Sequence, residues 1–491
     1  MKITLISVDQ ELYCVGVRVL SACLCQAGHH VQCLFLPPKT AGGSRAHKFD
    51  IEYSDGLLDQ VGALCSGSDL IGLSLMTNQV MQAISVTRHL KNLPVSAPIV
   101  WGGVHPTVEP EECLEYADIV CLGEGEDALL ELADCLESRR PHLTIRNFWF
   151  RHAEGLIRNP LRPLRQNLDE LPLPDYSCQD HFIRDGDTVK LLTVEYLVQY
   201  TGERFRAHKK GIHYPIMTSR GCPYACTYCC NSVYARLYPG QKRLRFRSVT
   251  SVLAELKMIQ RQVAPLAFVT MVDDNFTAQP QEKLQTFCRS YRAEFDVPFA
   301  CQCSPLTIEA DKMDTLLEGG CAKILMGVET ISPRIARMYN RGRFHDKLLD
   351  AIALIEAYRA RMSHAPSYQF IIDNPYETLD ETLETLRLAA SLSKPWNNPI
   401  YSLMLFPGTP LYQQAREDGL IKDKARQIYT RNWHDHSKPL FRFWIRLYRA
   451  GLPRLFLHVL LHPRLARWLT SDLANSIWNT RPLRWLWNKP I

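Results

Sequence analysis

The stretch TSRGCPYACTYCCNS, residues 218–232, places four cysteines within nine positions of the chain. Cys222, Cys226 and Cys229 are separated by three and then two residues, and Cys230 follows directly. A structural zinc site takes four nitrogen or sulfur ligands, usually from two separated pairs, and this chain has no second CxxC pair. Adjacent side chains rarely reach one centre, which makes Cys230 a poor fourth ligand. Three thiolates on one loop are typical of an iron–sulfur cubane with one open iron; a zinc site and a chance cluster are the alternatives.

The composition is that of an ordinary globular protein. Of the 491 residues, 46% are apolar and 22% are charged, and the length predicts two or three domains. No run of about 18 apolar residues, as a spanning helix needs, is present. The start, MKITLISVDQ, reads as a strand rather than a signal peptide. The seventeen cysteines, an odd number, favour reduced thiols. We therefore expect a cytoplasmic protein.

Strand-like and helix-like segments alternate in two separate parts of the chain. In residues 1–140 the runs KITLISV, HVQCLFL, LIGLSL, APIVWGG and DIVCLGE alternate with helical stretches, which predicts a doubly wound, Rossmann-like α/β domain. Residues 141–211 show little periodicity and are predicted to be a linker. The alternation returns in residues 212–425, which predicts a second parallel, barrel-like α/β unit. Residues 426–491 are predicted to form a basic, Trp-rich helical region.

The segment CPYACTYC resembles the C-x3-C-x-aromatic-C signature of the radical S-adenosylmethionine (SAM) enzymes, and it follows the strand-like YPIMTSRG as the cluster loop of that family does. The resemblance implies a 4Fe–4S cluster on Cys222, Cys226 and Cys229, whose open iron is chelated by the amino and carboxylate groups of SAM. It places Tyr228 beside the adenine, although an ordinary core aromatic is the alternative. Cys230 is expected to be a packed thiol.

Further landmarks match the same family at predicted strand ends of a partial (β/α)6 barrel. The segment GVET puts Glu329 where relatives place a polar group on SAM, and VDDNF puts Asp273 and Asp274 at the same mouth of the barrel. An acid at a strand end can also be a helix cap. The family's Gly-Gly-Glu stretch is absent, which leaves the methionyl amine without an assigned contact. IIDNPYET resembles the family's Gly-Leu-Pro-Gly-Glu-Thr turn, with Asp373 among the residues that replace small ones.

The segment WGGVHPTVEPEECLEYADIVCLGEGEDALLEL, residues 101–132, closely resembles the region after the fourth strand of cobalamin-binding domains fused to radical SAM domains. Glycines at strand ends let a large flat ligand approach the backbone at the edge where open α/β sheets bind; tight turns are the alternative. The candidate cobalamin-binding residues are Ser74, Thr77, Gly102, Gly103, His105, Gly123, Glu124 and Gly125.

One feature of the best-known cobalamin domains is missing. After the first strand the chain reads VDQELYCVG, without the Asp-x-His-x-x-Gly motif whose histidine coordinates cobalt from below. His105 lies in a different motif. By resemblance to the radical SAM branch, we expect cobalamin to bind with no protein histidine on cobalt.

The resemblance covers roughly residues 1–420 and implies C-methylation of an unactivated carbon through a 5′-deoxyadenosyl radical and methylcobalamin. No side chain is assigned as a catalytic acid, base or nucleophile. Ring formation or oxidative rearrangement by an enzyme of the same architecture stays open. So do a methylthiotransferase acting on tRNA or protein and a non-catalytic cobalamin or metal sensor. The expected partners are a small-molecule or lipid substrate and an electron donor such as flavodoxin or ferredoxin, with no nucleic acid.

The charge of the chain is concentrated at its end. Residues 431–491 hold eleven Lys and Arg against two Asp, a net of +9, which leaves −3 for the remainder of a chain whose total is +6. In FRFWIRLYRAG the arginines and the apolar side chains fall on opposite faces of a predicted helix. The apolar face consists of Phe441, Trp444, Ile445 and Tyr448. Peripheral membrane contact and a helical cap packed on the barrel are the two hypotheses for this helix.

Overall fold

The computed structural model describes residues 1–38, 53–202, 211–395 and 398–471, together with Ala474. These residues divide into two compact units, and each unit is assembled from separate stretches of the chain. The first unit comprises Met1–Tyr214, Cys229–Ala267 and Phe406–Arg431. The second comprises Pro215–Tyr228, Phe268–Leu405 and the described residues from Asn432 onward. The division therefore does not follow the linear order of the chain.

The first sheet has nine strands in the order β7-β6-β5-β4-β3-β1-β2-β8-β9. Their bounds are β1 Lys2–Ser7, β2 His30–Phe35, β3 Leu70–Ser74, β4 Ile99–Gly102, β5 Ile119–Cys121, β6 Phe148–His152, β7 Gly155–Arg158, β8 Phe182–Asp185 and β9 Thr188–Leu191. Strands β1 to β5 pair in parallel, and their consecutive apolar residues are buried because both faces are covered. The order of β5 to β2 is that of a doubly wound fold, as the sequence predicts.

Helices connect these strands and join the unit from distant parts of the chain. Their bounds are Val15–Gln26, Asp55–Cys65, Val80–Lys91, Val104–Val108, Pro110–Cys113, Glu126–Glu137, Val194–Gly202, Cys230–Leu237, Val249–Gln262 and Pro410–Glu417, with short 3-10 turns at Thr77–Gln79 and Leu168–Glu170 and a π-helical turn at Ala425–Tyr429. The segment 141–211, expected to be a linker, supplies β6 to β9 to the two edges of the sheet. These strands are only four or five residues long and partly exposed, so they lack the apolar runs that identify β1 to β5.

The second sheet is open and has six strands in the order β10-β13-β14-β15-β16-β17. The bounds are β10 Ile212–Ile216, β13 Leu266–Met271, β14 Phe299–Cys303, β15 Cys321–Glu329, β16 Ser367–Ile372 and β17 Ile400–Ser402, while β11 (Ser219–Arg220) and β12 (Arg245–Phe246) are two-residue strands outside it. Strands β13 to β17 pair in parallel. This confirms the predicted partial barrel and brings the residues after β13, β15 and β16 to one edge of the sheet.

Side-chain caps fix where several helices of the second unit begin. Ser332 accepts a hydrogen bond from the backbone N–H of Ile335. Thr378 and Glu381 form a reciprocal capping box directly after β16. The helices of this unit are Gln281–Glu294, Ala310–Glu318, Pro333–Met338, Gly342–Ala357, Leu379–Ser391, Pro439–Arg449, Arg454–Leu460 and Pro463–Leu469, with 3-10 turns at Phe276–Ala278 and Arg359–Arg361.

The apolar face of helix Pro439–Arg449 is buried within the second unit. Trp444 is fully buried and donates from Nε1 to the carbonyl oxygen of Leu457 at 3.0 Å. The Tyr448 hydroxyl accepts from Asn398 at 2.7 Å. Phe441 and Ile445 are buried as well. The helix is therefore a packed cap, and its apolar face gives no support to the hypothesis of membrane contact. Part of the predicted tail, residues 472–473 and 475–491, lies outside the described residues. Across the described ranges, no helix has the length and apolarity needed to cross a bilayer.

Asp373, which replaces a small residue of the family's turn, anchors the start of this C-terminal region. It follows β16 with a positive φ of 63°. Its carboxylate accepts from Ser402 Oγ at 3.0 Å and from the Ser437 backbone N–H at 3.1 Å, and it lies 3.2 Å from His436 Nδ1. Although burial opposes ionisation, these partners hold its pKa at about 2. The unusual residue therefore secures the segment that follows the barrel.

Candidate functional site

The loop that carries the three cysteines is held at its start by Asp273. This carboxylate follows β13, is fully buried, and accepts from the backbone N–H of Thr218 at 3.0 Å, from its hydroxyl at 3.0 Å, and from Ser219 Oγ at 2.5 Å. Burial raises its pKa to about 6, and these hydrogen bonds counteract part of that increase. Because its oxygens are engaged by the protein, Asp273 is a residue that positions the loop. Its predicted neighbour Asp274 is exposed.

The other end of the cysteine loop rests on the residues that follow helix Pro333–Met338. Thr227 donates from its backbone N–H to the Tyr339 carbonyl oxygen at 3.1 Å and from its hydroxyl to the Met338 carbonyl oxygen at 2.7 Å. Asn340 donates to the Ala225 carbonyl oxygen at 3.1 Å. These bonds fix the backbone on both sides of the second cysteine, Cys226, without using any sulfur atom.

The four cysteines of the loop differ in burial. Cys226 is buried, whereas Cys222, Cys229 and Cys230 are partly exposed. Within the described residues, no three metal-ligating side chains already converge on one ion position. Each thiolate of a cubane binds a different iron, so such convergence is not needed there. Cys230 begins helix Cys230–Leu237, for which Cys229 is the N-cap residue.

A buried charged pair lies beside Cys226. Glu329 ends β15 with a positive φ of 65°, and burial raises the pKa of its carboxyl, offset by Arg341 and by a hydrogen bond from Tyr228. Arg341 Nη1 lies 3.7 Å from Cys226 Sγ, and Nη2 donates to the Gly327 carbonyl oxygen at 2.8 Å. Burial opposes the charge of Arg341, but the neighbouring tyrosine, carboxylate and thiol raise its pKa. The side chain therefore stays cationic next to a candidate cluster ligand.

Tyr228 lies within this group, hydrogen-bonded to Glu329. Its ring meets the ring of Tyr339 edge to face, with centroids 4.9 Å apart. The Tyr339 hydroxyl in turn accepts from Asn374 Nδ2 at 3.1 Å. Arg341 was not predicted, because nothing in the sequence distinguishes it from the other basic residues around it. Only the distance to Cys226 identifies it.

The candidate cobalamin residues lie at the carboxyl edge of the first sheet, where Ser74 ends β3 opposite Gly102 at the end of β4. The protein itself fills the space beside the glycines. A Cβ on Gly103, at φ 102°, would lie 2.7 Å from the Leu75 carbonyl oxygen, and one on Gly123, at φ 72°, would lie 2.0 Å from the Tyr238 hydroxyl oxygen. Gly102 and Gly125 both face Cys121. At Gly103 and Gly123, protein atoms therefore occupy the space that a side chain would need.

Glu124 is also engaged by the protein. Its Oε1 lies 2.8 Å from Nη1 of the buried Arg245, and its Oε2 accepts from the Arg165 backbone N–H at 3.0 Å. Tyr238, which occupies the space at Gly123, directly follows the helix Cys230–Leu237. The helix that begins at the cysteine loop is thus docked on the loop after β5 through its C-terminal end.

His105 and Thr77 meet inside the loops that follow β4 and β3. His105 is fully buried, and its Nδ1 lies 3.3 Å from Thr77 Oγ1. Its Nε2 has no hydrogen-bond partner among the described residues. Burial lowers its pKa to about 4, so the imidazole is neutral at pH 7. The Tyr429 ring packs edge to face against it, with centroids 5.5 Å apart.

Comparison with known proteins identifies both domains. Residues 216–389 match the Radical SAM superfamily, and residues 1–133 match the B12 binding domain. The chain is a radical SAM enzyme with a cobalamin-binding domain. A 4Fe–4S cluster, SAM and cobalamin are therefore its cofactors. The three cysteines on one loop fit the 4Fe–4S cluster, and the buried Glu329 and Arg341 fit SAM. The carboxyl edge of the open parallel sheet fits cobalamin.

Relatives match across most of this radical SAM enzyme. An uncharacterized methyltransferase of Pyrococcus horikoshii is 28% identical over 376 residues, which cover 75% of this chain and 72% of the relative. A bacteriochlorophyllide d C-8(2)-methyltransferase of Chlorobaculum tepidum is 21% identical over 74% of this chain and 71% of its own. The structure of the radical SAM methyltransferase TsrM from Kitasatospora setae, with cobalamin and a 4Fe–4S cluster bound, is 20% identical, covers 85% of this chain and 78% of its own, and has a TM-score of 0.64. This likeness shows that the fold is shared.

Proposed function

We propose that the enzyme transfers a methyl group from SAM to an unreactive carbon of a small organic molecule. The observation that supports this most is that one chain carries both cofactor domains and that three of the relatives matching about three quarters of it are methyltransferases by name. When bound, the cluster and SAM supply a carbon-centred radical that removes hydrogen, and cobalamin supplies a carrier for the methyl group.

The cysteine loop and the side chains packed against it would bind the cluster and SAM. Cys222, Cys226 and Cys229 are proposed to hold the cluster. Glu329 and Arg341 carry opposite charges at the same strand end, which suits the ammonium and carboxylate of a SAM methionyl group. Tyr228 is held by its hydrogen bond to Glu329 and by the Tyr339 ring. We propose that it bounds the adenine.

The loops at the edge of the first sheet would bind cobalamin. Ser74, at the end of β3, is partly exposed there, whereas Thr77 and His105 are buried beneath it. We propose that Ser74 contacts cobalamin directly and that the glycines, Thr77, His105 and Glu124 shape the loops. No side chain is assigned as an acid or base, because removal of a hydrogen atom requires none.

The cluster needs an external electron, and we propose a reduced flavodoxin or ferredoxin as the donor. We also propose that the enzyme works in the cytoplasm, together with such a donor. A lipid substrate has no support from helix Pro439–Arg449, since its apolar face is buried.

Labelled SAM tests the proposed reaction. The full chain, loaded anaerobically with iron, sulfide and cobalamin, would be incubated with reduced flavodoxin as electron donor, with metabolite extracts and with SAM that carries a trideuterated methyl group. We expect a product that contains the labelled methyl and forms together with 5′-deoxyadenosine. Both should be absent from the Cys226→Ala variant. A substrate that is consumed with 5′-deoxyadenosine release but without gaining label would refute methylation and favour ring formation or rearrangement.

A further inference from the structure

The chain segment Phe406–Arg431 lies beyond both family matches, yet it belongs to the unit that contains the B12 binding domain. We call it the returning segment. It contains helix Pro410–Glu417 and the π-helical turn Ala425–Tyr429. Its contacts are made with the loops that follow β3 and β4, about 300 residues earlier in the chain, at the edge where open α/β sheets bind ligands.

Charged groups fix the C-terminal half of the returning segment. Lys424 Nζ donates to Glu109 Oε2 at 3.0 Å and also contacts the carboxylate of Glu112. The Tyr429 hydroxyl donates to Glu112 Oε1 at 2.5 Å. These side chains of the two glutamates and the lysine are only about a quarter exposed, at 23%, 27% and 24%, so water screens the attraction weakly. Lys424 also lies 5.4 Å from the centre of the Tyr429 ring.

Backbone packing and hydrogen bonds from Arg236 fix the N-terminal half of the returning segment. Gly408 has a positive φ of 76°, and a Cβ there would lie 2.9 Å from Val108 Cβ. Arg236 donates to the Gly408 carbonyl oxygen and to Gln413 Oε1, the latter at 3.3 Å. The returning segment is therefore fastened at both ends to residues that follow β4 or belong to helix Cys230–Leu237.

His105 lies at the centre of these contacts. It is enclosed by Thr77 from the loop after β3 and by the Tyr429 ring from the returning segment. Its fully buried, neutral imidazole has one nitrogen without a partner among the described residues, and this costs free energy that the packing around it must offset. Tyr429 provides part of that packing, which links residues 103–113 to the returning segment.

We propose that the returning segment is a positioning element of the cobalamin site, in which Lys424 and Tyr429 hold residues 103–113 in the conformation that binds cobalamin. The proposal rests on the cobalamin-binding assignment and not on methyl transfer. It is tested by binding alone, so its failure is distinguishable from failure of the proposed reaction.

The test is titration of the full-length protein, free of cobalamin, with hydroxocobalamin under anaerobic conditions, followed by absorbance. Removing Lys424 as Lys424→Met leaves two partly buried carboxylates without their cation, and Tyr429→Phe removes a hydrogen bond to a charged acceptor while keeping the ring. We expect the Kd for cobalamin to rise at least fivefold in each variant. Iron content after cluster loading should stay that of the parent protein.

Two controls separate positioning from general destabilisation. Lys422→Met changes an exposed lysine two residues away and should leave the Kd unchanged. Lys424→Arg keeps the cation and should restore binding to within twofold of the parent. Tyr429→Phe is nearly isosteric and keeps the test decisive if Lys424→Met does not fold. Parent-like Kd values in both Lys424→Met and Tyr429→Phe would overturn the proposal. So would equal weakening in Lys422→Met.

Discussion

The guanidinium of Arg341 lies 3.7 Å from Sγ of Cys226 and donates at the same time to the carbonyl oxygen of Gly327. A permanent cation is thereby fixed next to a thiolate that is proposed to ligate the cluster. A positive charge stabilises the state with one more electron, because reduction adds a negative charge to the cluster.

Replacing this cation should change the reduction potential of the cluster. In Arg341→Met we expect the cluster to assemble and its potential to fall by about 60 mV or more, which corresponds to about tenfold in the reduction equilibrium. Arg341→Lys should recover part of the change, since it keeps the charge but not the planar donor geometry. Paramagnetic resonance during a redox titration gives both values. An unchanged potential in Arg341→Met would show that the charge does not act on the cluster.

The cysteine assignments can be tested one residue at a time. Alanine at Cys222, Cys226 or Cys229 should abolish the visible absorbance of the reconstituted cluster and the cleavage of SAM. Cys230→Ala should retain most of both, because Cys230 begins a helix and is not expected to be a ligand. Loss of iron in Cys230→Ala, or zinc in the natively purified protein, would contradict the open-cubane assignment.

The strand ends were predictable from the sequence, and so were the iron–sulfur, SAM and cobalamin cofactors. Buried parallel strands appear as continuous apolar runs, and Glu329 directly follows such a run. Arg341 and Lys424 could not be predicted in this way. Arg341 reaches Cys226, and Lys424 reaches Glu109 and Glu112, only in the folded chain. Neither residue changes the pattern of apolar residues around it in the sequence.

The glycines show a second limit of sequence interpretation. A positive φ at Gly123 was foreseeable in general, but the group that occupies the space beside it was not. Tyr238, which directly follows helix Cys230–Leu237, lies more than a hundred residues later in the chain. Without that contact the pattern of glycines looks like a ligand cradle.

Asp273 should make stability depend on pH. Burial raises its pKa from 3.8 to about 6, so the folded state binds a proton more tightly than the unfolded state. Its contribution to stability is complete below about pH 4 and is lost as the pH rises through 6, by about 3 kcal/mol in total. We expect urea unfolding of the cofactor-free protein to show this loss, and Asp273→Asn to lack it. A pH dependence that is identical in the two proteins would contradict the assignment.

Histidine should be absent from the cobalt. His105 is fully buried and packs against Thr77 and Tyr429, so we expect its imidazole to stay within the protein rather than to bind cobalt. Paramagnetic resonance of the cob(II)alamin form should therefore lack the strong nitrogen splitting of a protein histidine. His105→Gln should leave the spectrum of bound cob(II)alamin unchanged even if it weakens binding. A splitting that disappears in His105→Gln would refute this prediction.

The three-part assembly of the first unit sets the order of events during synthesis. Glu112 meets Lys424 and Tyr429 across more than 300 residues of chain. While the ribosome translates the barrel, the N-terminal sheet can form. The returning segment, residues 406–431, has not yet been made at that stage. Contacts of such large sequence separation close late in folding. The nascent N-terminal domain therefore lacks the contacts at the edge of its sheet until residues 406–431 have been made.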